Sequence, residues 1–84
     1  MRTDNFGDYE ISHDGRTTWI NRGELLGRFS HTGIDVHVNG VCKEDSCVPG
    51  PTNIRDWNKF KILMMAAHHI KVDDKYMPNF LKDT

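Results

Sequence analysis

The stretch from Asn53 to Ile70 leaves this 84-residue chain the least conformational freedom. At about a hundred degrees per residue, Trp57, Phe60, Leu63, Met64, Ala67 and Ile70 gather on one half of a helix as a wide apolar stripe. Asn53 is a good N-cap. Asp56, three residues on, can return the capping bond and suits the positive end of the helix dipole. The prolines of "CVPGPTN" stand outside this helix, which the pattern places at about Ile54 to His69. Such a stripe needs a second surface to cover it.

The first half of the chain offers that surface. Tyr9 and Ile11 alternate with polar neighbours from Asp8 to Ser12, "DGR" is a hairpin signal because Gly15 tolerates positive φ, and "TTWIN" follows as a second strand. After the turn "NRGE", the strand "LLGRF" puts Leu25 and Phe29 on one face and Leu26 and Arg28 on the other. Gly27 inside that strand signals a bulge or the close approach of another backbone. Beyond "HTG", Ile34, Val36 and Val38 alternate with Asp35, His37 and Asn39. The expected fold is one α+β domain over 1–84: three or four antiparallel strands within 8–38, a loop at 39–53, the helix packed on one face, and a tail at 70–84. In that tail Asp73 or Asp74 can start a helical turn, Pro78 interrupts it, and Phe80 and Leu81 are expected to reach the core.

Eleven Lys and Arg against twelve Asp and Glu give a net charge of −1, too little field to hold a polyanion without a local patch. The basic groups, Arg16 with Arg22 and Arg28, and Lys59 with Lys61, are diluted by acids, so nucleic acid is not the expected partner. The stretch "MRTDNFGDYE" lacks the apolar run of a secretory signal, and no run of apolar residues is long enough to span a bilayer. A cytoplasmic location is expected, and there two cysteines are more often thiols or metal ligands than a disulfide.

His37, Cys42 and Cys47 fall within eleven residues. A strand running into a loop with two free thiols, and no cofactor, is the first expectation. The sharper alternative is a structural zinc held by Cys42, Cys47, His37 and His68, with His31 as a substitute for His68, because tetrahedral zinc takes four nitrogen or sulfur ligands. Asp35 and His37 share a strand face and could pair as orienter and base, and His37 with His68 or His69 coarsely fits a small metal-dependent hydrolase or nuclease. The remaining ligands and the basic groove of such an enzyme are missing, so no catalytic residue is assigned.

Binding has more support. Ile62 and Met65 lie on the otherwise polar half of the helix, and if the helix covers one face of the sheet, the other exposes some of Trp19, Leu26 and Arg28, whose facing the pattern leaves open. Ile62, Met65, Leu26 and Arg28 mark a contact surface for another protein, or for a second copy of the chain in a homodimer. A zinc-stabilised domain touching nucleic acid is the alternative reading.

Taken in order, "TTWIN", "GRF", "TGIDVH", a two-cysteine loop and "DWNKF" resemble a group of short uncharacterised bacterial proteins, over roughly Thr17 to Phe60. The resemblance implies no activity. The cysteine loop of that group is tighter than the spacing from Cys42 to Cys47.

Overall fold

The computed structural model describes residues 1–82. Six strands, β1 (Arg2–Asn5), β2 (Glu10–His13), β3 (Thr18–Asn21), β4 (Leu25–Ser30), β5 (Gly33–Val38) and β6 (Val41–Pro49), form one antiparallel meander in chain order. The helix α1 (Ile54–His68), a 3-10 turn (Asp74–Tyr76) and a short α2 (Asn79–Lys82) follow. The fold is mostly sheet, with one main helix in the C-terminal half.

This corrects the expected strand count and the expected loop at 39–53. The two added strands lie at the sheet edges, where a strand pairs on one side only and need not carry an apolar alternation. The first, β1, pairs with β2 through Thr3↔Ser12 and Asp4↔Ile11. The turn into β6 is made by Asn39 (φ 53) and Gly40 (φ 77). Asn-Gly is the dipeptide best suited to a two-residue hairpin with positive φ at both central positions, so a turn signal stands inside the segment read as loop.

One face of the sheet carries the core. Ile11, Ile20, Gly27 and Val36 sit opposite one another across four strands, and Thr18, Phe29 and Ile34 form the neighbouring row. Against them α1 presents Trp57, Phe60 and Met64, all buried, while Leu63 and Ala67 are half-buried beside them. Gly27 lets the layers meet: a Cβ there would stand 2.6 Å from Met64 Sδ and 3.2 Å from Phe60 Cε1.

A bulge explains the one misplaced side chain of β4. Ile20 pairs with Gly27 and Asn21 with Leu25, so Leu26 is the extra residue. The bulge rotates it inward, and Leu26 is 5% exposed, in the core rather than on the open face with Arg28.

The capping box on α1 is complete, with Asn53 Oδ1 accepting from the Arg55 and Asp56 amides and Asp56 Oδ2 accepting from the Asn53 amide. The helix ends at His68, one residue earlier than its pattern suggests, and the left-handed conformation of the C-cap His69 (φ 57) turns the chain so that Ile70 enters the core. Asp73 caps the 3-10 turn, Pro78 and Leu81 are buried, and Phe80 stacks parallel to Phe29 at 6.5 Å between centroids.

Candidate functional site

The uncovered face of the sheet bears the row Thr3, Ser12, Trp19, Arg28, Asp35 and Cys47, each opposite the next across all six strands. Arg28 Nη2 and Nε both reach Asp35 Oδ2, at 2.6 and 3.0 Å. The Asp35 carboxylate is thus held by Arg28 and does not orient His37 as a base.

At the β5–β6 hairpin the ladder breaks. Asp35 pairs with Cys47 and His37 with Cys42, so between these pairs one residue of β5 stands against four of β6, an excess of three that loops out. A straight strand would put Cys42 and Cys47 roughly 16 Å apart, but their Cα atoms are 5.8 Å apart, and the two sulfurs are joined as a disulfide across the neck of the loop. Buried Ser46 helps to fix it, with its hydroxyl 3.2 Å from the Val36 carbonyl and 3.3 Å from that of Lys43. The bonded cysteines replace the two free thiols first expected. The register break is what brings the two cysteines together.

Three of the five anticipated ligands converge. One ligand atom each from His37, Cys42 and Cys47 lies within 4.8 Å of the others. His68 comes close by another route: its Nε2 lies 2.7 Å from the backbone oxygen of His37, one residue past the last β4–β5 pair at Val36. That nitrogen is spoken for. His31 sits at the other end of β5, in the β4–β5 turn, edge-on to the Phe80 ring at 5.4 Å. His69 is exposed at the helix C-cap.

The second candidate is the outer surface of α1. Ile62 is 69% and Met65 44% exposed, and with Ala66 they border an open groove of about 600 Å³ that is floored by buried Val72 and flanked by Lys61 and Lys71. Asn58 completes its lining, and no carboxylate is among these residues. Lys61 bonds Asp74 Oδ1 at 2.7 Å, whereas the Lys71 ammonium has no partner among the described residues.

No family model, curated protein or solved structure matches this chain. Both candidate sites therefore stand on their own geometry. Of their residues, the helix pattern reaches Ile62 and Met65, but Val72 and Lys71 become neighbours of the helix only through the turn at His69. The alternation of Ile70 and Val72 around Lys71 was the available signal. On the sheet, Arg28 is on the open face as its strand position implies. No helix among the described residues is long and apolar enough to cross a membrane.

Proposed function

We propose that this chain is a small accessory protein that works by binding another protein through the outer face of α1. The observation that carries the reading is the apolar groove around Ile62, Met65 and Val72, on the side of the helix turned away from the sheet. An isolated exposed Leu or Ile is ordinary on a protein surface. Here two large apolar side chains stand together over a depression. Methionine favours such a role because its unbranched, polarisable side chain adapts to the shape of a partner.

The lysines define the partner's chemistry. A segment that fits would place one or two apolar side chains over Val72 and bring a carboxylate to Lys71, since Lys61 is already paired with Asp74. Complementary charge of this kind contributes more to encounter rate and selectivity than to affinity. A second copy of the chain is a poorer fit, because a symmetric contact through this groove would bring lysines toward lysines.

The test is capture from the native cell with the full chain as bait, beside an Ile62→Glu, Met65→Glu double variant. A protein held by the wild type, lost with the variant and released by added salt supports the reading. Capture that the variant does not alter removes it. Self-association abolished by the variant would make the partner a second copy.

A further inference from the structure

We infer that reduction of the Cys42–Cys47 bond converts the open face of the β5–β6 hairpin into a three-ligand site for a thiophilic divalent cation, zinc above all, made of both thiolates and the His37 imidazole. The site is independent of the α1 groove. His37 and Cys42 are direct cross-strand partners, and Cys47 returns to them because the register break folds β6 back on itself. The three ligand atoms already lie within 4.8 Å of one another, while the donors of a tetrahedral zinc stand about 3.5–3.8 Å apart, given bonds of about 2.0–2.3 Å. On reduction the two sulfurs would part from bonding distance to about 3.8 Å and the imidazole would move in by about 1 Å, displacements on the scale of side-chain rotation.

Access and chemistry agree with this. Cys42 is exposed, and His37 and Cys47 are half-buried, so reductant and ion can both reach the site. Neither ring nitrogen of His37 is hydrogen-bonded within the described residues, which leaves one for a metal. Two thiolates and an imidazole select zinc over the hard cations magnesium and calcium, which prefer oxygen. Three protein ligands among the described residues leave zinc's fourth position to water or an incoming ligand, so the ion is exchangeable rather than structural. Placement on the face opposite the core makes the same point, because none of the three ligands is among the buried apolar residues that hold the fold.

The electron balance is simple. A dithiol reductant is oxidised to its own disulfide, and Cys42 and Cys47 gain two electrons and two protons as the S–S bond breaks. Binding the cation as two thiolates then releases those two protons. A small-molecule disulfide that accepts two electrons, and is itself reduced to two thiols, re-forms the Cys42–Cys47 bond and expels the metal, so the site reads the thiol–disulfide balance of its surroundings.

The experiment is titration of the full chain with Co²⁺ alone under anaerobic conditions, before and after reduction and removal of the dithiol. The reduced protein should take up one equivalent with a thiolate-to-cobalt charge-transfer band and tetrahedral ligand-field absorption, and Zn²⁺ should displace it. The oxidised protein should show neither. Cys42→Ser and Cys47→Ser should each abolish the band. His37→Ala should weaken binding by at least about tenfold, given that even supporting groups around a metal are worth that much, and Asp35→Asn should change nothing. Equal uptake by the oxidised form, no uptake by the reduced form, or affinity unaltered in His37→Ala overturns the inference. Far-ultraviolet spectra of each variant, matched to wild type, separate loss of ligand from loss of fold.

Discussion

Tyr76 donates its phenol hydrogen to Asp4 Oδ2 at 2.7 Å, joining residues seventy-two positions apart and fastening the chain's tail to its first strand. The Tyr76 ring is buried, and its backbone carbonyl accepts a bond from the buried Thr18 hydroxyl, so the tail is tied to β1 and β3 together. The pair also shifts both protonation equilibria. The hydrogen bond from Tyr76 holds the Asp4 carboxyl below its ordinary 3.8, and burial first, then the Asp4 bond, pushes the Tyr76 phenol well above its ordinary 10.0.

Those two directions set a pH window. A carboxyl depressed on folding stabilises the native state above its unfolded value, and the gain is lost as pH falls through the folded one. A phenol raised on folding stabilises below its unfolded value, and that gain is lost as pH rises through the folded one. Melting temperature should therefore fall below about pH 3.8 and again above about pH 10. Asp14, held down by the Arg16 and Thr17 amides, and Asp74, held down by Lys61 and Trp57, add to the acid limb. In Tyr76→Phe both limbs should flatten. Thermal melts of the two proteins from pH 2 to 11 check this, and superimposable profiles would deny the pair its role.

Trp57 is the largest fully buried side chain, and its indole Nε1 donates to Asp74 Oδ1 at 3.0 Å. Trp57→Ala should cost about 3–5 kcal/mol, the usual range for emptying a buried aromatic site. Trp57→Phe keeps most of the apolar volume and should cost less. Urea denaturation of both variants measures the order.

Gly27→Ala should destabilise by about 1–3 kcal/mol, because the new methyl enters a packed core against Met64 and Phe60. Met64 is the flexible neighbour. In a double-mutant cycle, Met64→Ala should make the alanine at position 27 markedly less costly. Additive effects would show that the two residues do not meet.

Ile62→Glu should leave stability within about 0.5 kcal/mol of wild type, as expected for a surface substitution. At 69% exposure the side chain has little burial to lose. A drop of several kcal/mol in chemical denaturation would instead place Ile62 against the core.

Opening the Cys42–Cys47 bond should cost about 2 kcal/mol, since the closed loop is short and restricts few unfolded conformations. The two cysteines are five positions apart. Comparison of melts with and without a dithiol, followed by addition of a chelator, tests the point: the first step should lower the midpoint modestly and the second should not unfold the protein.

The parts of this architecture legible in the sequence are those where local and tertiary demands coincide. The Asn53 cap, the stripe from Trp57 to Ile70 and the turn started by Asp73 all announce themselves because the pattern that forms the element also buries it. Gly27 is legible for a similar reason, since a glycine inside an apolar strand needs a close neighbour. The edge strands obey no such rule: the residues of β1 are mostly exposed, and β6 carries charged and polar residues through its looped-out part. Gly27 signals a bulge in β4 but not which residue is the extra one, so the facing of Leu26, which the bulge reverses, was not legible. At the hairpin, the convergence of His37, Cys42 and Cys47 was readable as a candidate, but the register break that creates it exists only in pairing. His68, the expected fourth ligand, stands outside that cluster, with its Nε2 2.7 Å from the backbone oxygen of His37.

The meander also sets an order of events in time. Each strand pairs with its sequence neighbour, so every ladder can close through a short turn at small entropic expense, and such local topologies fold quickly. The bond from Tyr76 to Asp4 is the opposite case, closing nearly the whole chain into a ring. The sheet should form first and the tail dock last, and in the reverse direction the tail is where unfolding begins.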